Sequence, residues 1–133
     1  MPAFPAPRPR SVPYVPQLSA WERPLRDRNP PALDRRMVAT PDGLSLYAQA
    51  AGDPSAPPIV FIHGYSQSHL SWRRQFADPA LAANFRLVAY DLRGHGLSDK
   101  PVERERYRDD RLWADDLAAV MAAFDLRRPT LVA

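Results

Sequence analysis

Ile59-Val60-Phe61-Ile62-His63-Gly64-Tyr65-Ser66-Gln67-Ser68 is the stretch on which the reading of this chain turns. Four consecutive apolar residues rich in β-branching have no wet face, so they fit a strand covered on both sides, as in a parallel sheet. The run breaks at His63-Gly64 into a polar loop. A second unit of the same kind follows, in which Arg86-Leu87-Val88-Ala89-Tyr90 leads into Asp91-Leu92-Arg93-Gly94-His95-Gly96-Leu97-Ser98-Asp99, a turn whose two glycines tolerate positive φ. A third strand opens at Thr130-Leu131-Val132-Ala133.

Outward from these strands, Arg35 to Thr40 and Leu44 to Ala50 alternate apolar and polar positions around Pro41-Asp42-Gly43, which predicts a β-hairpin with a short turn. Gly52-Asp53-Pro54-Ser55-Ala56-Pro57-Pro58 reads as loop. Leu70, Trp72, Phe76 and Leu81 predict a helix or helix pair over His69 to Phe85, interrupted at Asp78-Pro79, where the proline starts a new helical turn. Trp113, Leu117, Val120, Met121 and Phe124 recur at helical spacing over Asp109 to Phe124, with Asp110, Asp115 and Asp116 assigned to the opposite face. Arg127-Arg128 follow, where cations suit the negative end of the helix dipole. Hairpin, strand, helix, strand, helix, strand is the order of an α/β chain with parallel pairing.

The 133 residues allow one domain, with an arm over residues 1–34 and a globular part over 35–133. The arm holds nine of the sixteen prolines, which remove amide donors and fix φ, so it is expected to be disordered or polyproline-like. Pro2-x-x-Pro5 and Pro13-x-x-Pro16 have the spacing of ligands for an aromatic groove, but that spacing arises freely in a proline-rich tract, and a solvated linker is the preferred reading. The arm lacks the apolar core of a secretory signal. No apolar run reaches membrane-spanning length, and the chain is expected to be soluble and cytoplasmic, without membrane partners. The net charge of +3 divides into +4 over residues 1–36 and −1 over the rest, so the globular part offers no basic surface for nucleic acid. Without cysteine, disulfides, thiol nucleophiles and thiolate metal sites are excluded.

HGYSQS after one strand and DLRGHGLSD after the next, with the S-x-x-x-W spacing of Ser68 to Trp72, resemble the α/β-hydrolase superfamily from about Arg35 to Ala133. The branch is the broad one of esterases, non-heme haloperoxidases, epoxide hydrolases and haloalkane dehalogenases. The resemblance implies a partial α/β-hydrolase fold, with a leading hairpin, then parallel strands alternating with helices, ending at the strand before the nucleophile elbow. It also implies that the amide of Tyr65 is the loop donor of an oxyanion hole, with Gly64 allowing the backbone to present it and the His63 side chain bracing the loop. Asp91, Arg93, Gly94, His95, Gly96 and Ser98 are crowded enough to suggest a site. A tight turn that satisfies strand-end and helix-start amides is the better reading of them, and in the family this segment is a hallmark outside the triad.

Gly-x-Ser-x-Gly is absent; Gly64-Tyr65-Ser66-Gln67-Ser68 comes nearest but lacks the closing glycine and follows the wrong strand. By resemblance, nucleophile, acid and catalytic histidine all lie past Ala133. His63, His69 and His95 lack ligand spacing, so no metal is expected, and Gly94-x-Gly96 meets Asp99 where a dinucleotide fingerprint needs glycine.

The expectation is the N-terminal part of a cofactor-free hydrolase that opens ester, epoxide or carbon–halogen bonds of a small molecule through a covalent intermediate on Ser or Asp. The 133 residues alone are expected to be inactive. Two other readings stay open: a non-catalytic binding module recruiting a partner through the sheet or the arm, and a truncated gene product. For the binding module, the sheet order that the resemblance implies would leave the last strand as an unpaired apolar edge prone to self-association.

Overall fold

A computed structural model describes residues 31–133 of the chain. Both Pro-x-x-Pro motifs and the expected arm up to residue 30 lie outside the described residues. The expected hairpin is present as β1 (Asp34–Ala39) and β2 (Ser45–Ala51), antiparallel with Asp34 opposite Ala50 and Ala39 opposite Ser45. Its turn closes because Gly43 takes φ 86° and the Thr40 hydroxyl accepts the Leu44 amide at 2.9 Å.

The decisive apolar run is β3 (Pro58–Ile62), which begins with the proline in a strand's first position, where no ladder donor is needed. β4 (Arg86–Tyr90) pairs parallel to it, Ile59 opposite Leu87 and Ile62 opposite Tyr90, and β5 (Thr130–Val132) pairs parallel on the other side of β3. β2 lies antiparallel against β4, so the sheet runs β1-β2-β4-β3-β5 and places the exits of β3 and β4 next to each other. That adjacency builds the site.

Between β3 and β4, Ser68 caps a 3₁₀ turn (His69–Trp72) by accepting the Leu70 amide, α1 (Arg73–Ala77) follows, and α2 (Pro79–Asn84) restarts at the proline. The Asp78 carboxylate caps α2 by accepting from Ala80 at 2.8 Å. After β4 comes one turn of helix that the sequence does not announce, α3 (Glu105–Arg108), then α4 (Asp110–Ala123), capped by Asp109 accepting the Arg111 amide at 2.9 Å.

Phe76 and Trp72 cover one face of the sheet over Phe61, Leu87 and Ala89; Val120 of α4 and Phe124 just past its end cover the other over Leu46, Val60 and Val88. All five residues of β4 are buried, which is why its pattern shows no alternation. Each large aliphatic side chain sealed in this way, such as Val60 or Leu87, contributes about 1.5–3 kcal/mol relative to leaving it in water. One assignment is corrected: Asp116 does not share a solvent face with Asp110 and Asp115 but is fully buried against the sheet side of α4. No helix among the described residues is long and apolar enough to cross a membrane.

Candidate functional site

At the exit of β3 the His63 ring is buried, and its Nε2 accepts the Leu92 amide at 3.0 Å. A neutral imidazole that accepts at one nitrogen carries its proton on the other, so Nδ1 donates to the Gly64 carbonyl at 2.8 Å. The ring thereby ties the loop after β3 to the turn after β4.

The next four amides are unevenly occupied. Gly64 donates to the Gln67 side-chain oxygen at 3.0 Å, Ser66 to His95 Nε2 at 3.3 Å, and Gln67 to the Gly64 carbonyl at 3.2 Å. Among the described residues the Tyr65 amide has no acceptor, and its side chain is 91% exposed. The sharp bend is made by Ser66 at φ 58°, not by Gly64, where an added Cβ would meet nothing closer than the Gln67 amide oxygen at 3.4 Å. Ser66 can hold this left-handed conformation because its own amide is fixed by His95 and the loop behind it is closed by Gln67.

The turn after β4 is organised around the fully buried Asp91. Its carboxylate accepts the His69 amide at 2.6 Å, the His69 ring Nδ1 at 2.9 Å and the Leu97 amide at 2.8 Å. Gly96, at φ 50°, passes so close that a Cβ there would lie 2.1 Å from an Asp91 oxygen, so only glycine fits. Gly94, at φ 79°, is covered by the Tyr107 ring. The Ser98 hydroxyl donates to the Asp91 carbonyl at 2.5 Å and accepts the Tyr47 amide at 2.9 Å, fastening the turn to β2.

Arg93 leaves the turn altogether and plunges into the interior. Its guanidinium, with no exposed side-chain surface, grips Asp116 by two bonds of 2.7 Å, reaches Asp42 in the hairpin turn at 3.1 Å, and donates to the carbonyls of Arg106 and Leu112. The Asp116 carboxylate, helped by Asp42, pushes the Arg93 pKa up despite burial. Burial works to raise Asp42, but hydrogen bonds from Thr40 and Arg93 outweigh it and hold its carboxyl below the ordinary aspartate value. Burial, with the nearby Asp116 charge, pushes the Tyr90 phenol well up.

The named candidates other than Arg93 therefore meet at the two strand exits, while Arg93 organises the interior beneath them, and both groups depend on residues that were not among the candidates. His69, Asp42 and Asp116 complete the network. His95 comes from well beyond His63 and His69 in the sequence yet joins them here, His63 and His95 with ring centroids 5.1 Å apart. Both nitrogens of His63 and His95 are engaged by backbone groups, His95 Nδ1 donating to the Arg93 carbonyl at 3.0 Å. Asp116 carried a readable signal, three residues after Trp113 and four before Val120, which places it on the apolar stripe.

A hairpin leading into parallel strands, with two supported loops side by side at the strand exits, defines a layered α/β sheet. The model for the alpha/beta hydrolase fold matches residues 57–133, and the chain belongs to that family. It is similar to human epoxide hydrolase 4, 32% identical over 102 residues covering 71% of this chain and 28% of the relative. It is also similar to the non-heme chloroperoxidase of Streptomyces lividans, 37% identical over 90 residues covering 68% and 31%. Among solved structures, a putative aryl esterase from Burkholderia cenocepacia superposes with a TM-score of 0.70 at 51% identity, over 74% of this chain and 36% of that one. The chain thus spans only about a third of the length of these proteins.

Proposed function

We propose that the loop from His63 to Ser68 is the strand-exit half of an oxyanion hole, in a hydrolase that opens ester, epoxide or carbon–halogen bonds through a covalent intermediate. The nucleophile, Ser or Asp, and its acid and histidine partners come from outside residues 1–133. The observation that carries this reading is the Tyr65 amide, the one donor among Gly64 to Gln67 without an acceptor among the described residues. A backbone N–H held open on a braced loop costs no reorganisation when negative charge develops beside it. His63 and His95 act in this reading as supports, since both their nitrogens are committed to backbone groups.

The test has two arms on the ¹⁵N-labelled chain. Methylphosphonate, a small tetrahedral anion, should shift the Tyr65 amide more than those of Gly64, Ser66 or Gln67; equal movement of all four would sink the donor assignment. The same chain should show no saturable turnover of an ester or an epoxide, because half an anion hole without a nucleophile supplies too little. Saturable turnover would refute the half-site.

A second reading is favoured by one observation: among the described residues β5 pairs only with β3, and Leu131 on it is 50% exposed. We infer self-association through this edge wherever no further strand covers it. Light scattering that shows a clean monomer at high concentration would overturn that reading.

A further inference from the structure

Beside the oxyanion loop lies a cavity of ≈510 Å³ lined by Tyr65, Ser66, Gly94, His95, Tyr107 and Trp113. Four of those six residues are aromatic, and three of the four have spent their polar atoms on the backbone. The Tyr107 hydroxyl donates to the Pro101 carbonyl at 2.7 Å, the Trp113 indole N–H to the Tyr107 carbonyl at 3.1 Å, and His95 is bonded at both nitrogens. What these rings turn toward the cavity is therefore carbon surface. The rings are also set at angles to one another, Tyr65 to His95 edge-on with centroids 6.1 Å apart and Tyr107 to Trp113 tilted at 6.2 Å, the kind of arrangement in which a further ring packs edge-on or offset.

We propose that this cavity is a subsite for the neutral aryl group of an ester substrate. The volume falls in the range of small-molecule sites. No carboxylate lines it, and the nearest buried cation, Arg93, already stands over the Trp113 ring at 5.9 Å and is neutralised by Asp116 and Asp42. A quaternary ammonium group would find no carboxylate in this lining to balance its charge, so an uncharged ring is the better fit. The inference rests on the oxyanion reading in one respect: Tyr65, which carries the open amide, also lines the cavity, so an aryl ester seated there lies beside the residue proposed as donor.

The experiment is an NMR titration of the full chain with phenyl acetate, ethyl acetate and acetylcholine, following the Trp113 indole N–H and the Tyr65 amide. Phenyl acetate should move both resonances along one saturation curve, with a dissociation constant on the order of 1 mM for so small a ligand. Ethyl acetate should leave Trp113 unmoved. Tyr65→Ala, at an exposed position that the fold does not need, should weaken phenyl acetate about tenfold, and Trp113→Phe, which keeps a ring, should weaken it less. Acetylcholine binding more tightly than phenyl acetate, or Trp113 staying still with every ester, overturns the subsite. Movement of Trp113 without movement of the Tyr65 amide keeps the subsite and overturns only the role of the amide.

Discussion

Replacing Asp116 with Asn removes the carboxylate that grips Arg93 through two bonds of 2.7 Å while leaving the shape of the side chain intact. Both partners have no exposed side-chain surface, so the change strands a guanidinium in the interior rather than merely deleting an attraction. Breaking a buried pair from one side typically costs about 3–5 kcal/mol. Asp42 stays within 3.1 Å of the same guanidinium and is itself 23% exposed, so part of the charge remains compensated and the lower end, about 3 kcal/mol, is expected here. For a folded part of roughly a hundred residues, 3 kcal/mol lowers Tm by roughly 12–24 °C. Urea unfolding followed by circular dichroism gives the number directly.

The pattern across variants is more telling than any single value. Arg93→Met should also be costly, since it leaves Asp116 buried and alone beneath Tyr90. The double change Arg93→Met with Asp116→Leu should recover most of the loss, because two apolar side chains need no mutual compensation. Asp42→Asn, at the partly exposed partner, should cost only about 1 kcal/mol. Should Asp116→Asn cost less than about 1 kcal/mol, or the double variant cost the sum of the two single ones, the guanidinium does not organise this interior as described.

Three further outcomes follow from the same geometry. The Asp42 carboxyl titrates below its unfolded value of about 3.9, so the unfolded chain binds more protons in that window; stability should hold above pH 4 and fall as the pH drops through the folded value, with a shallower fall in Asp42→Asn, read from urea midpoints between pH 5 and 2.5. Gly96→Ala must fit a methyl group 2.1 Å from an Asp91 oxygen at positive φ and should cost about 3 kcal/mol or more by thermal denaturation, whereas Gly64→Ala, with 3.4 Å of room, should cost under about 1 kcal/mol. His95→Ala removes the acceptor of the Ser66 amide and should speed hydrogen exchange there severalfold, at a stability cost of about 0.5–1 kcal/mol; unchanged exchange at Ser66 would show that the clamp is idle.

The division between what could be read from residues alone and what could not follows the range of the forces involved. β3 and β4 were legible because burial on both faces leaves an unbroken apolar run, and α2 because Asp78-Pro79 writes its own cap. The positive φ at Gly94 and Gly96 was legible for the same local reason. Arg93 was not, since its partners stand 51 and 23 residues away and nothing in a turn rich in polar residues distinguishes a guanidinium that points inward. Ser66 was hidden likewise: a left-handed serine is improbable until His95, 29 residues on, takes its amide. These long-range links share one origin. The sheet order sets β3 and β4 side by side, so every residue at one exit is within reach of the other, and the polar groups of two short loops satisfy each other instead of water. Once that mutual pairing is complete, an amide left over on the loop stands apart from its neighbours, which is why the Tyr65 N–H, without an acceptor among the described residues, is the group on which the proposed anion site rests.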